Sequence, residues 1–297
     1  MSKPIAIFVA DTHLGDKAPV SRKDNWYKAM ESTMMELQGW GKEYNVPIIH
    51  CGDIFDKPAN TPKLEVKAMK WLKGILCIMG NHDLTGHRLD KVEESSLGVM
   101  KVAEAVTILE SGFAIDMGDW ELTAFHYGEE LKPNTSDSKK LKVAVIHADF
   151  YQKLPFVGCD KGGSYKKVAK KLNGFDVIIS GHIHIPFDTV FKDTTCVCVG
   201  GAFQRTASEL EHKPRAVLLN DDSTVESLYF NTDEVEISRD HVEQANERND
   251  RLNAFIDTLS EDIDMGLCFE NNLKKYIDKN NIDKQITDKI YNKLEAL

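Results

Sequence analysis

Five short apolar runs, each ending in a carboxylate, an amide or an imidazole, narrow the folds open to this chain. Residues 5–10 lead into Asp11-Thr12-His13, residues 47–51 into Gly52-Asp53, and residues 75–79 into Gly80-Asn81-His82-Asp83. Residues 143–146 lead into His147, and residues 175–180 into Gly181-His182-Ile183-His184. Runs of this length bounded by turn residues read as buried strands. In open α/β sheets, ligands bind beyond the carboxyl ends of the strands, so five strand ends can deliver these groups to one crevice. Together the clusters describe a site for two divalent metals. Gly52, Gly80 and Gly181 fit tight turns that aim the following side chain, a structural role that would hold with or without a metal.

The intervening segments supply the helices. Ser21-Arg22-Lys23-Asp24 reads as a capping box opening a helix whose apolar stripe is Trp26, Met30, Met34, Leu37, Trp40 and Tyr44. A second helix is expected over residues 63–72. Strand, helix, strand, helix, strand predicts a parallel sheet with helices on its faces. After Asp83 a polar, helical segment precedes strands at 106–109, 113–116 and 121–126, and residues 133–140 read as a polar loop. A strand at 143–146, a helix at 164–172 and a strand at 175–179 follow. Further strands are expected at 187–191, 195–199, 216–220 and 225–230, the last two joined by the turn Asp221-Asp222-Ser223. The fold class expected for residues 1–234 is therefore α/β, with two mixed β-sheets packed face to face and flanked by helices.

From residue 235 the composition changes, and residues 235–297 are expected to form a helical C-terminal appendage. Residues 240–297 carry 13 acids against 8 bases, no proline and one glycine, Gly266. Leu252, Phe255, Ile256, Leu259 and Ile263 mark one amphipathic helix, and Ile282, Ile286, Ile290 and Leu294 another, with a shorter helix at 270–277 between them. These helices could pack on the core, bind a partner or self-associate.

No apolar run approaches the ~18 residues of a membrane span, and the strand-like start is shorter than a signal-peptide core. A cytoplasmic protein is expected. Six cysteines fit this reading as free thiols: Cys51 and Cys77 fall in buried strands, and Cys196 and Cys198 alternate along another. The net charge of −10 excludes a generic nucleic-acid coat, which would show a basic face. It leaves a nuclease open, because bound cations neutralise several of the carboxylates.

Two metals about 3.5–4 Å apart can hold a bridging hydroxide and clamp a phosphoryl group for in-line attack. Hard oxygens mixed with borderline imidazoles suit Mn, Fe or Zn better than Ca or Mg, and Mn2+ is the ion expected in an assay. Five of the ten histidines belong to the strand-end series; His50, His87, His126, His212 and His241 are expected to be ordinary structural or surface groups.

The series D-x-H, G-D, G-N-H-D, H and G-H-x-H resembles that of the calcineurin-like metallophosphoesterase superfamily, over residues 4–230. The resemblance implies a bridging Asp53, with Asp11, His13 and His184 completing one metal and Asn81, His147 and His182 the other. It leaves His82 free to protonate a leaving group or stabilise phosphate charge, with Asp56 and Asp83 as candidates to orient it. More narrowly, Asp11-Thr12-His13-Leu14-Gly15, Gly52-Asp53-Ile54-Phe55-Asp56 and Gly201-Ala202-Phe203-Gln204-Arg205-Thr206 resemble SbcD-type nuclease subunits of DNA double-strand-break repair complexes. That likeness implies DNA as substrate and an SMC-like ATPase as partner. Asp56 is shared with protein phosphatases of the superfamily, so phosphatase or small-molecule phosphodiesterase activity stays open, as does a non-catalytic scaffold.

Overall fold

The computed structural model describes residues 2–155, 159, 161–240, 242–243, 247–253 and 269–294. The chain divides into two compact units, Met1–Ser238 and Arg239–Leu297. In the first, β1 (Pro4–Val9), β2 (Ile48–His50), β3 (Ile75–Cys77) and β4 (Val106–Ile108) are parallel neighbours. The antiparallel strands β11 (Arg215–Asn220) and β12 (Val225–Tyr229) extend this sheet to the order β12-β11-β1-β2-β3-β4. The second sheet runs β5-β6-β7-β8-β10-β9. Its parallel centre is β6 (Trp120–Phe125), β7 (Leu141–His147), β8 (Val177–Gly181) and β10 (Thr194–Cys198). Antiparallel edges are β5 (Ala114–Asp116) and β9 (Phe187–Phe191). Two packed mixed sheets, as the sequence predicts, form the body of the unit.

The two-residue period of a strand sorts the core into three layers. Along β1, Ala6, Phe8 and Ala10 face the inter-sheet layer while Ile7 and Val9 face the helices α1 (Trp26–Tyr44) and α2 (Pro62–Trp71). Along β7, Val143 and Val145 join the inter-sheet layer, and Ala144 and Ile146 pack on the far side. There Val168 and Ala169 of helix α4 (Tyr165–Lys171) meet them. Helix α3 (Ser96–Val102) completes the first outer layer through Leu97 and Met100.

Helix starts correct one expectation. α1 begins at Trp26, capped by Asn25, whose side chain accepts the Lys28 amide proton. Ser21 does not cap it: its carbonyl accepts from Ser238 N at 2.7 Å, and Arg22 bridges to Ile237. The segment after Asp83 is mostly 3-10 helix, at Thr85–His87 and Leu89–Glu94. Cys51, Cys77, Cys159, Cys196 and Cys198 are buried and form no disulfide among the described residues.

In the second unit, residues 247–253 are helical, and α5 (Phe269–Lys279) and α6 (Lys284–Leu294) follow. Most of the expected stripe from Leu252 to Ile263, together with His241, Gly266 and Cys268, lies outside the described residues. Among the described residues, no helix is long and apolar enough to cross a membrane.

Candidate metal centre

Parallel pairing of β1 with β2 continues past both strand ends, which draws their two loops together. Asp11 N donates to Gly52 O at 3.1 Å, His13 N to Asp53 O at 3.0 Å and Leu14 N to Ile54 O at 2.7 Å. The chain turns sharply where the ligand-bearing residues sit. Asp11, His13, Asp53 and His182 all adopt positive φ, at 51°, 40°, 57° and 86°. Non-glycine residues there cost on the order of 1–2 kcal/mol each, and persist where the surrounding structure holds them. Gly52, at φ 91°, meets the same demand without that cost, and a Cβ on it would collide with the His147 ring. A Cβ on Gly80 would collide with Asp53.

The structure brings all seven expected metal ligands into one crevice. His13 Nε2 and His184 Nε2 lie 3.1 Å apart, and these two with Asp11 offer ligand atoms within 4.8 Å of one another. Asp53, His147 and His182 form a second such group. Asn81 Oδ1 lies 3.2 Å from His147 Nε2 and 3.1 Å from His182 Nδ1. Asp53 stands between the groups, its Oδ2 3.8 Å from His13 Nε2 and 3.3 Å from His147 Nε2.

The donor chemistry fits divalent ions. His147 Nδ1 lies 2.7 Å from the Cys51 carbonyl, which can only accept, so Nδ1 keeps a proton and Nε2, once deprotonated, turns its lone pair toward Asp53 and Asn81. His184 Nδ1 is held by Glu209 Oε1 at 3.4 Å, which directs Nε2 toward His13. Imidazoles that ligate metals are oriented in this way by a carbonyl or carboxylate on the other nitrogen. With the imidazoles deprotonated, lone pairs from Asp, Asn and four His converge here, and a cation satisfies them.

Electrostatics in the metal-free protein show the same tension. Burial raises the Asp11 carboxyl to about 6, with His184 and His147 opposing the rise. Burial acts to raise Asp53 as well, but the charge and hydrogen bond of His147, with His13 and His82, hold it well below the carboxylate range. Burial would lower His147; Asp53 and Asp11 outweigh it and raise the imidazole to about 9. His184 is raised despite its burial by Glu209 and Asp11. Burial, then the His147 charge, lowers His182 to about 4. Burial and Arg205 depress His13.

His82 lies against this centre, its ring 4.7 Å from that of His13 and nearly perpendicular to it. Its backbone N donates to Asp53 Oδ1 at 2.8 Å, and its Nδ1 donates to the carbonyl oxygen of Asp56 at 2.9 Å. Of the two carboxylates expected to orient His82, that of Asp83 is turned to backbone amides instead. The Asp56 carboxylate is engaged by the Arg205 guanidinium and lies within 4.8 Å of a ring nitrogen of His82, while the Asp56 backbone carbonyl accepts from His82 Nδ1. Asp83 makes no bond to His82. Fully buried, it accepts from Asp53 N at 2.9 Å and Gly80 N at 3.0 Å through Oδ2, and from Phe55 N at 3.0 Å through Oδ1. Burial, then the Asp53 charge, raises it to about 7 against these donors. Asp83 ties the loop after β2 to the loop after β3.

Four other histidines sit apart from the seven donors. Buried His50 bonds to Thr12 Oγ1, His126 receives Met79 N, and His87 and His212 hold backbone carbonyls. Three groups without an assigned role do reach the site. Asp149 Oδ1 is 3.5 Å from His182 Nε2. Arg205 sits beside Asp56 and His13, with a buried Nε that has no hydrogen-bond partner. Glu209 orients His184 and accepts from Arg205 N and Thr206 N, and it is held down to about 2 because His184 and those amides outweigh its burial. A sequence signal for Glu209 existed: Thr206-Ala207-Ser208-Glu209 is a capping box, and it forms.

Among solved structures, an archaeal phosphodiesterase is similar at 16% identity and a TM-score of 0.42, over 75% of this chain and 98% of its own. A provisionally assigned 5'-nucleotidase from Staphylococcus aureus, in complex with alpha-ketoglutarate, is similar at 14% identity and a TM-score of 0.47, over 82% of this chain and 58% of its own. Likeness at this level says nothing of substrate. No curated protein sequence matches the chain. The family profile described as the Calcineurin-like phosphoesterase superfamily domain matches residues 5–221. With that match over most of its length, two packed mixed sheets and paired His/Asp clusters at their strand ends, the chain belongs to the calcineurin-like phosphoesterase superfamily, whose members are two-metal phosphoesterases.

Proposed function

We propose that the protein is a phosphodiesterase that cleaves nucleic acid, DNA foremost, with Mn2+ as the working ion and Fe or Zn as substitutes. The observation that carries this reading is the openness of the centre on two sides. One groove, about 720 Å³, runs from His184 past Ile185, Asp188 and Lys213. A second, about 500 Å³, runs from His147 and His182 past Tyr127, Asp149 and Lys171. A phosphodiester seated at the donors can continue in both directions, as a polymer requires and a phosphomonoester does not.

Asp11, His13 and His184 would hold one ion, Asn81, His147 and His182 the other, and Asp53 both. Bound there, the ions polarise the phosphoryl oxygens and supply a nucleophile at neutral pH. The chain's own groups do the rest. His82, fixed through Nδ1 by the Asp56 carbonyl, presents Nε2 to the leaving oxygen and delivers its proton there when the imidazole is charged. Arg205, held by Asp56, places a permanent cation next to His13, where it offsets the charge of a non-bridging phosphate oxygen.

Asp53→Asn removes the shared carboxylate and should abolish Mn2+-dependent cleavage of oligonucleotides; full activity in that variant would refute the mechanism. The chain's net charge of −10 favours a second reading, a phosphatase or phosphodiesterase of small molecules. Side-by-side turnover of oligonucleotides, cyclic nucleotides and nitrophenyl esters separates the two.

A further inference from the structure

In a chain with 47 acidic residues, residues 161–175 contain five lysines and no acid. Four of the five, Lys166, Lys167, Lys170 and Lys171, are on α4, and all five are exposed. At 100° per residue those four fill an arc of roughly 140°, and the buried Val168, Ala169 and Leu172 occupy the opposite side. The helix therefore presents one cationic face. Ordinary solvated helices set opposite charges at i and i+4. Here Lys166 stands over Lys170 and Lys167 over Lys171, each pair unfavourable by a few tenths of a kcal/mol. No lysine of the five makes an ion pair with a described residue. Lys167 Nζ donates to the Lys161 carbonyl at 3.0 Å, and Lys166 Nζ lies 5.7 Å over the Tyr165 ring.

This face reaches the groove of the catalytic centre through Lys171. Lys171 and Val168, with Gly162 and Gly163, line the same groove as His147 and His182. Acids line that groove as well. Glu129 Oε2 accepts from Ser111 and from His126 N, Asp149 faces His182, and Glu130 lies 3.8 Å from Lys132. The lysines of α4 therefore supply the cationic side of a groove of mixed charge.

We infer that the lysine face of α4 holds the phosphate backbone of a nucleic-acid strand beyond the scissile bond, so that polymer length is read there. The inference rests on the nucleic-acid reading above. Lysines act on phosphate as point charges, so the contribution is sequence-independent and salt-dependent. Lys161 stands at the same end of the groove and adds a fifth cation.

The test replaces Lys166, Lys167, Lys170 and Lys171 together by Gln, and in a second variant by Arg, with thermal melting to show that both fold. Binding of a fluorescent 30-nucleotide strand to metal-free protein is followed by anisotropy against salt. Cleavage is followed in Mn2+. The Gln variant should show KM raised by about tenfold or more at 0.1 M salt with kcat within about twofold, and a salt slope shallower by roughly 3, at about 0.7 for each phosphate no longer neutralised. The Arg variant should restore both. If the Gln variant misfolds, the pair Lys166→Gln and Lys170→Gln should give about half the change in slope. An unchanged slope and KM in a folded Gln variant, with the wild type cleaving the strand, overturns this inference alone. A wild type that hydrolyses bis(p-nitrophenyl) phosphate yet neither binds nor cleaves the strand overturns the nucleic-acid reading and this inference with it.

Discussion

Asp83→Asn exposes how the ligand loops are held. In the wild type one fully buried carboxylate accepts three backbone amides, those of Asp53, Phe55 and Gly80, at 2.9, 3.0 and 3.0 Å. Asparagine keeps one oxygen. Its best placement leaves that oxygen on the Asp53 and Gly80 amides and turns its NH2 toward Phe55 N–H, donor against donor. One charge-assisted bond, worth about 1.5–3 kcal/mol, is lost, and a buried N–H is left unpartnered at about 1–3 kcal/mol. At pH 8, above the value of about 7 to which burial and the Asp53 charge raise Asp83, the wild type also bears the cost of a buried charge, which the amide avoids. The net loss expected is about 2–3 kcal/mol, a large part of a typical domain's ~5–15. Because Asp53 and Gly80 begin the two ligand loops, Mn2+ affinity should fall with it, by about 10–100-fold as for other outer supports of metal ligands. Urea denaturation followed by tryptophan fluorescence measures the first effect. All four tryptophans, Trp26, Trp40, Trp71 and Trp120, lie in the first compact unit. Titration calorimetry measures the second. A stability change below about 0.5 kcal/mol with unchanged Mn2+ affinity would show that Asp83 does not fasten these loops.

Glu209→Gln keeps an acceptor for the Arg205 and Thr206 amides but removes the charge beside His184; Mn2+ affinity should fall about tenfold while the melting temperature moves little, and equal affinity would remove Glu209 from the centre's support. Metal loading at pH 7 should release protons, because His147 is raised to about 9 and enters the metal-free state charged, and the upward shift of His184 acts in the same direction. Ligands must be deprotonated, so affinity should climb from pH 6 toward 9 and level above it; calorimetry in buffers of different ionisation enthalpy that finds no proton release at pH 7 contradicts these assignments.

How much of this was legible in the sequence depends on where each group's partner comes from. The sheets were readable because strands buried on both faces appear as contiguous apolar runs such as 5–10 and 143–146, and the helix stripe Trp26, Met30, Met34, Leu37 packs as its spacing requires. The seven donors were readable because each follows the strand that carries it. The start of α1 was misread, since Ser21 and Asn25 are equally good caps by residue type and only the pairing of Ser21 and Arg22 with residues 237–238 decides between them. Asp83 was assigned to its neighbour His82, yet its partners come from positions 53, 55 and 80, a choice made by the approach of two loops. Glu209 reaches His184 across 25 residues and Asp149 reaches His182 across 33, distances at which local pattern carries no information.

The positive-φ residues show the same limit from the other side. Local preference would place glycine at positions 11, 13, 53 and 182, where the backbone is left-handed. The chain places aspartate and histidine there and accepts the strain. Glycine would relieve the backbone and delete the donor, so the conflict between local propensity and observed residue is itself a mark of the site. It falls on four of the seven donors, two in each group once Asp53 is counted with His147 and His182. The strained backbones are locked by one another's hydrogen bonds, Asp11 N to Gly52 O, His13 N to Asp53 O and His182 N to both Asp11 oxygens at 3.0 Å. A change in any one of these loops is therefore transmitted to both halves of the centre, and the two ions should be lost together.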